Sequence, residues 1–213
     1  MGPEERRGLL LLAASALLAF GLLLWGVSAG ATAGWDREWL GRAVGAGETV
    51  RWISAAVTHL GSAWLLAPLV LGVAYWAIRN GRRAGAGVLV AGALIAEGAN
   101  LLLKWVVGRE RPEGYADVLP LTHAFPSGHA MVPTVVYAMV AFLVASMEPR
   151  WKLPLAVLVP FLCLSIGATR VFLGVHWPSD VLGGLAAGGV LAALGKIATD
   201  AAAERDVRRQ RGA

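Results

Sequence analysis

Long apolar runs separated by short charged segments make up most of this 213-residue chain. Each run approaches the length of about 20 residues that an α-helix needs to cross the hydrocarbon core of a bilayer. A helix satisfies its own backbone hydrogen bonds, which is the condition for spanning a membrane. The pattern predicts an all-α bundle of six transmembrane helices in a single domain, residues 1–213, with spans at Gly8–Ala29, Leu60–Ile78, Ala84–Leu103, Ala130–Met147, Leu153–Ala168 and Val181–Thr199.

The first run also has features of a secretory signal peptide. Arg6 and Arg7 precede it, and Val27-Ser28-Ala29 resembles a cleavage site for signal peptidase. The run is longer than the roughly 7 to 15 apolar residues of a typical signal peptide. We therefore expect a retained first helix.

Composition supports a membrane protein. The chain is 57% apolar and 15% charged, and its mean hydropathy is +0.61, well outside the range of soluble domains. Its net charge is +5, but the cations fall in short clusters between apolar runs and no basic stripe with interleaved aromatic residues occurs, so no nucleic-acid partner is expected. The single cysteine, Cys163, lies inside an apolar run, which predicts a buried thiol and excludes an internal disulfide.

The distribution of Lys and Arg predicts the orientation of the spans. With a cytoplasmic N-terminus, twelve cations fall in inside segments and seven in outside segments. Both termini are therefore predicted to be cytoplasmic, and the basic tail over residues 200–213 to be flexible. The outer segment Gly30–His59 carries Trp35, Trp39 and Trp52 among charged residues. This composition predicts a short helical segment at the membrane interface. Its role is either structural or to form a rim where lipid enters.

Three polar segments fall on the predicted outer side. The first runs from Lys104 to Arg111-Pro112; the second is Pro126-Ser127-Gly128-His129; the third runs from Arg170 through His176 to Asp180. Ahead of the first segment, Glu97 and Asn100 share a helix face with Lys104. An ionisable residue within a span usually faces protein or a cavity, so Glu97 is either a helix-packing residue or a partner of the basic cluster.

The chemistry of these segments is complementary. The Ser127-Gly128 entry to a helix can hold an anion on free N–H groups, and three cations can surround a phosphoryl group. Two histidines can supply proton transfer and a nucleophile. Taken singly, each segment has another interpretation: cations that only reach lipid headgroups, a Ser127 that only caps a helix, and a His176–Asp180 pair that is local or supplies two metal ligands. A metal site is disfavoured because the loop carboxylates, Glu110, Glu113 and Asp117, are scattered.

Together the three segments resemble the three-part signature of the type 2 phosphatidic acid phosphatase family. These are membrane lipid phosphatases whose site is related to those of vanadium-dependent haloperoxidases and glucose-6-phosphatase. The motifs cover Lys104 to Asp180, and the six-helix layout extends the resemblance over nearly the whole chain. One departure is visible, since the third motif usually begins Ser-Arg and here reads Thr169-Arg170. Threonine keeps the hydroxyl group.

The resemblance implies a role for each motif residue, and we expect no cofactor and no metal. His176 attacks phosphorus and forms a phosphohistidine, oriented by Asp180. His129 protonates the leaving oxygen and later activates water. The phosphoryl oxygens are bound by the remaining five residues: Lys104, Arg111, Ser127, Gly128 and Arg170.

We therefore expect a metal-independent phosphatase that acts on a lipid phosphate or diphosphate at the outer, periplasmic or exterior face of the cytoplasmic (inner) membrane. The candidate substrates, in order of preference, are undecaprenyl diphosphate, phosphatidylglycerol phosphate and phosphatidic acid. A lipid phosphotransferase shares the first half-reaction and stays open. A transporter is disfavoured, because the polar residues gather at one end of the spans. The oligomeric state is left open.

Overall fold

The computed structural model describes residues 2–113 and 123–211, and this part of the chain is helical throughout its regular structure. The predicted all-α fold is confirmed. Single 3₁₀ turns lie at His59–Gly61 and Pro149–Trp151. The α-helices are α1 Pro3–Ser28, α2 Ala33–Val44, α3 Glu48–Thr58, α4 Ala63–Arg79, α5 Arg83–Val107, α6 Gly128–Met147, α7 Lys152–Phe172 and α8 Pro178–Arg211.

Six helical segments in the described part are long and apolar enough to cross a membrane, judged by length and composition. This number agrees with the prediction. The side of the membrane on which the termini lie stays a prediction. The segments are Pro3–Ser28, Glu48–Arg79, Arg83–Val107, Gly128–Met147, Pro149–Phe172 and Pro178–Val207.

Helices α6 and α8 form the most extensive interface of the bundle, and α1 packs along the other side of α8. Small residues make the α6 contact close. A Cβ atom added at Gly184 would lie 2.6 Å from the Ser127 carbonyl oxygen, and one at Gly188 would lie 2.8 Å from the Met131 carbonyl oxygen. Such spacing of small residues is typical of close helix packing in membranes. It holds the first turn of α6 against α8.

The outer segment between the first two spans folds as α2 and α3, which both contact α7. Trp35, Trp39 and Trp52 are exposed, as expected for an interfacial segment. Asp36 differs from this expectation. Its side chain is completely buried, because α2 also reaches the start of α8.

Residues 200–211, part of the segment predicted to be a flexible tail, are helical because α8 continues to Arg211, and the flexibility of the tail stays a prediction. Asp206 shows why this last part of α8 packs on the bundle. It is 2% exposed, and its two carboxylate oxygens accept the N–H groups of Ala84 and Gly85 at 3.0 and 3.3 Å. These N–H groups belong to the first turn of α5, which has no acceptor of its own for them.

Two glycines end the helices that lead into the motifs. Gly108 follows α5 with φ +63°, and Gly174 follows the end of α7 with φ +74°. Only glycine adopts this left-handed conformation without strain, and it is the usual way to stop a helix. Because α6 and α8 begin at the same end of the bundle, the polar residues of all three motifs meet there.

Candidate active site

The end of the bundle where α5 and α7 stop and α6 and α8 start brings the predicted site residues together. Lys104, Arg111 and Arg170 lie close enough for their charges to act on both His129 and His176. Five of the predicted residues are buried at 8% exposure or less: Lys104, Ser127, Arg170, His176 and Asp180. Arg111, Gly128 and His129 are partly buried.

His176 is held between a carboxylate and a guanidinium group. Its Nδ1 lies 3.3 Å from Asp180 Oδ2, and its Nε2 lies 3.3 Å from Arg111 Nη1. Arginine can only donate, so the neutral ring accepts at Nε2 and carries its proton on Nδ1, facing the carboxylate. The lone pair of Nε2 is therefore on the side of the cations.

The environment favours the neutral form of this ring. Burial lowers the pKa of His176 well below its ordinary value of 6.5, and the charges of Arg111, Lys104 and Arg170 lower it further. A hydrogen bond with the backbone of Ala124 acts in the opposite direction and is smaller. At neutral pH the imidazole is uncharged, which is the form that can act as a nucleophile.

The turn from α7 into α8 fixes the spacing of the third motif. The Arg170 carbonyl accepts the N–H groups of Val175 and His176 at 3.1 and 3.3 Å. At the start of α8, Asp180 Oδ2 accepts the Trp177 N–H at 2.9 Å, a hydrogen bond of the capping-box type. The Asp180 carbonyl accepts the Ser127 N–H at 2.9 Å, so the second and third motifs are joined through the backbone.

Each of the three cations of the site donates a hydrogen bond to an oxygen atom of the protein. Lys104 Nζ donates to the His123 carbonyl, Arg111 Nη1 to the Val175 carbonyl at 2.8 Å, and Arg170 Nη1 to Thr58 Oγ1 at 2.8 Å. Within the described residues, Arg170 Nε and Ser127 Oγ are buried without a hydrogen-bond partner. A buried donor without a partner is costly, and two of them beside three cations suit an anion such as a phosphoryl group.

Helix α5 also holds the turn that precedes α6. Asn100 Nδ2 donates to the Pro126 carbonyl at 3.3 Å. A Cβ atom at Gly128 would lie 2.9 Å from Asn100 Oδ1, so a larger residue at this position would displace the Asn100 side chain. With Ser127 as N-cap residue, the N–H groups of Gly128 and His129 have no acceptor within the helix.

His129 lies at the inner end of a lateral groove of about 550 Å³ between α4, α5 and α6. The groove is apolar along most of its length, with Leu66 and Val70 on one wall. Glu97 is exposed and lines the same groove. This agrees with the expectation that an ionisable residue within a span faces a cavity. No hydrogen bond or ion pair joins Glu97 to another described side chain.

The donor set of the site suits an anion and not a cation. In residues 2–113 and 123–211, no three His, Cys, Asp or Glu side chains are grouped as metal ligands. Asp117, one of the loop carboxylates considered in the sequence, lies outside the described residues.

Two further residues belong to the site and were not predicted. Arg109 Nη1 donates to Asp180 Oδ1 at 2.6 Å, and its Nη2 to Asp36 Oδ2 at 2.7 Å. Arg109 carries a weak sequence signal, because it stands two residues before Arg111 inside the first motif. Asp36 carries none, since it is 73 positions from Arg109 and sits among the charged residues of an amphipathic segment.

The fold and the site define a multi-span membrane protein with a cation-rich anion site around two histidines. The family model of the PAP2 superfamily matches residues 85–202, and the chain belongs to this superfamily. It is therefore a membrane phosphatase of the PAP2 type, a phosphoric ester hydrolase, as the resemblance of its motifs implied.

Individual relatives agree with this assignment. The chain is 31% identical over 151 residues to phosphatidylglycerophosphatase B of Bacillus subtilis, covering 64% of this chain and 68% of the relative. It is 38% identical over 108 residues to lipid A 1-phosphatase of Rhizobium etli, covering 45% of this chain and 42% of the relative. The crystal structure of the transmembrane PAP2-type phosphatidylglycerolphosphate phosphatase of Bacillus subtilis superposes with a TM-score of 0.81 at 26% identity, covering 86% and 94% of the two chains.

Proposed function

We propose that this protein hydrolyses the phosphate ester of a membrane lipid through a phosphohistidine at His176. The observation that carries the proposal is the setting of that ring. Its Nδ1 faces Asp180 and its Nε2 faces Arg111, and buried Lys104 and Arg170 lie close by. A neutral imidazole with its lone pair directed among cations is arranged to attack phosphorus.

In the first step, Nε2 of His176 forms a bond to phosphorus and the bond from phosphorus to the lipid oxygen breaks. The ring becomes positively charged as it does so, and the carboxylate of Asp180 beside Nδ1 stabilises that charge. His129 gives a proton to the leaving oxygen. The lipid alcohol departs and the phosphoryl group stays on His176.

The cations and the α6 N-terminus bind the three equatorial oxygens in the transition state. Lys104, Arg111 and Arg170 supply positive charge, while Ser127 Oγ and the Gly128 N–H supply hydrogen bonds. Donors that are already in place where charge develops contribute most to catalysis. In the second step, His129 takes a proton from water and the water oxygen bonds to phosphorus. The bond from phosphorus to His176 Nε2 breaks, which releases inorganic phosphate and returns the neutral imidazole.

The lateral groove supports a lipid as substrate. Its apolar walls open on the side of α4 and α5 that carries exposed leucines, and its inner end reaches Gly128 and His129. A phosphate headgroup in the site would place its hydrocarbon tail along this groove. Among the three candidate lipids, the names of the relatives favour phosphatidylglycerol phosphate, so we test it first, with undecaprenyl diphosphate and phosphatidic acid beside it.

The site is proposed to face the outside of a cytoplasmic membrane. With six spans, both chain termini come to the end of the bundle opposite the site. The excess of Lys and Arg at that end favours a cytoplasmic location for it, so the site lies on the other face. A reporter fused after Ala213 is expected to read cytoplasmic.

The experiment is a phosphate-release panel with purified protein in detergent micelles. The substrates are the three lipids, with p-nitrophenyl phosphate as a monoester without a lipid tail. We expect release from at least one lipid, none with His176→Ala, and full activity in the presence of EDTA. Release by a folded His176→Ala variant, or a strict requirement for added Mg²⁺, would contradict the proposal. A second arm with an acceptor alcohol separates hydrolysis from phosphotransfer.

A further inference from the structure

Arg109 connects two buried carboxylates that are far apart in the sequence. Its guanidinium group donates to Asp180 Oδ1 at 2.6 Å, to Asp36 Oδ2 at 2.7 Å and to Ser179 Oγ at 2.7 Å. Both carboxylates are completely buried, and the Arg109 side chain is 15% exposed. The guanidinium group also lies over the Trp177 ring, 5.6 Å from its centroid. One buried positive charge therefore stands between two buried negative charges.

Asp36 binds the start of α8 as well as Arg109. Its Oδ1 accepts the Ser179 N–H at 2.9 Å and its Oδ2 accepts the Ser179 hydroxyl at 2.7 Å. The Ser179 N–H is one of the groups that a helix leaves without an internal acceptor at its N-terminus. Asp36 thus caps α8 from α2, at the end of the helix that favours negative charge.

These contacts determine how Asp180 meets the nucleophile. The Oδ2 atom of Asp180 faces the Trp177 N–H and His176 Nδ1, while its Oδ1 atom is held by Arg109. With both oxygens held, the carboxylate cannot turn away from the imidazole. The ring of His176 is oriented through a chain of contacts that begins on α2.

We propose that Arg109 and Asp36 are positioning residues for the phosphoryl transfer. Arg109 holds Asp180 in the orientation that fixes His176, and Asp36 holds Arg109 and the start of α8. Neither residue touches the reacting atoms. This inference rests on the proposed function of His176 as nucleophile.

The test compares purified full-length variants on p-nitrophenyl phosphate and on phosphatidylglycerol phosphate in micelles. Arg109→Gln is expected to lower kcat by about 10- to 100-fold, the range found for residues that orient the ligands of metal sites, with KM within about twofold of wild type. Arg109→Lys retains more activity, because a lysine keeps the charge but loses the forked geometry. Arg42→Gln, which removes an exposed arginine of α2 paired with Glu38, is the matched control and keeps wild-type kinetics.

Asp36→Asn is expected to lower kcat by about tenfold, and Arg109→Gln with Asp36→Asn to be no worse than Arg109→Gln alone, because residues of one network are not additive. Melting temperatures are measured in parallel, and activity is assayed well below each of them. If Arg109→Gln does not fold, Arg109→Lys and Asp36→Asn make the same comparison.

The acidic limb of the pH profile separates positioning from simple support of the fold. His176 faces Asp180 on α8, Arg111 after α5, Lys104 on α5, Arg170 on α7 and His129 on α6. Removing the charge of Arg109 leaves the surroundings more negative, so the pKa of His176 rises and the acidic limb of kcat/KM moves to higher pH. A loss of stability alone leaves this limb in place.

The inference is overturned if folded Arg109→Gln keeps kcat within about twofold of wild type, if only KM rises, or if the acidic limb does not move. Failure of the proposed function is a separate result. It appears as activity in His176→Ala, whereas failure of this inference appears as inactive His176→Ala beside normal Arg109 variants.

Discussion

Buried aspartates cap a helix from a neighbouring helix at both ends of the bundle. At the end that carries the chain termini, Asp206 of α8 accepts two N–H groups at the start of α5. At the site end, Asp36 of α2 accepts the Ser179 N–H at the start of α8. Asp206 has no ion-pair partner among the described side chains, whereas Asp36 binds Arg109 at 2.7 Å. Helix capping by a buried aspartate thus stabilises the fold at one end. At the other end the capping aspartate also contacts a residue of the site.

The two ends of the bundle also differ in whether a cation is paired with a carboxylate. Lys196 lies in the opposite half of α8 and is neutralised by Asp200 at 2.6 and 2.7 Å. Arg170 is 8% exposed, and it donates to the hydroxyl of Thr58 and to no described carboxylate. A buried cation without a carboxylate partner is unfavourable in a resting protein. It is explained at the site end by an anionic substrate.

The largest difference is expected when these two cations are removed. Arg170→Gln should lower kcat/KM by about 10³-fold, because it removes a donor placed where charge develops in the transition state. Lys196→Gln should leave kcat/KM within about twofold. Phosphate release from phosphatidylglycerol phosphate measures both. Equal losses in the two variants would show that the ends do not differ in function.

The two capping aspartates provide the next comparison. Asp206→Asn should lower stability by about 0.5 to 2 kcal/mol, the usual effect of losing a helix cap, and leave the kcat of folded protein unchanged. Asp36→Asn should lower both stability and kcat, since it also releases Arg109. Thermal melting and steady-state kinetics on the same preparations check this. Normal turnover in Asp36→Asn would show that Asp36, like Asp206, only stabilises the fold.

The groove allows a prediction about the tail of the substrate. Ala93 lies on the groove wall, so Ala93→Phe should raise KM for a long-chain lipid phosphate by about tenfold, the loss of some 1.4 kcal/mol of tail binding. Its KM for p-nitrophenyl phosphate should not change. Leu101→Phe, at an exposed position of the same helix outside the groove, is the control. A rise in KM for both substrates would mean that the headgroup site was disturbed instead.

The smallest expected effect is a change in pH dependence. The nucleophile must be neutral, and burial and three cations hold the pKa of His176 well below 6.5. Activity should therefore persist below pH 6.5 and fall only where His176 takes up a proton. Arg111→Gln removes one of the cations, so the pKa of His176 rises and the acidic limb of kcat/KM moves to higher pH. An acidic limb unmoved in this variant would show that another group controls it.

The sequence predicts the number of spans, and the motif residues that meet at one end of the bundle, because each depends on local information. Six apolar runs have the length of a membrane helix. The motifs from Lys104 to Arg111 and from Arg170 to Asp180 each lie within one short stretch of sequence. Asp36 stands among several charged residues of an amphipathic segment, and nothing near it in the sequence marks its burial.

What the sequence does not reveal is which helix a polar side chain meets. The course of α8 beyond residue 200 depends on Asp206 reaching the start of α5, a contact across 122 positions. The inclusion of Arg109 and Asp36 in the site depends on the packing of α2 against α8. Such contacts arise only when the helices are assembled, so no local pattern in the sequence indicates them.

The central claim is that His176 carries the phosphoryl group during turnover, and trapping that intermediate tests it most directly. Purified protein is mixed with phosphatidylglycerol phosphate radiolabelled in its terminal phosphate, quenched in alkaline detergent and digested for mass spectrometry. The account predicts a label that is stable in alkali, labile in acid, attached to the peptide containing His176, and absent from His176→Ala. A label on another residue, or turnover without any covalent intermediate in rapid-quench experiments, would contradict it.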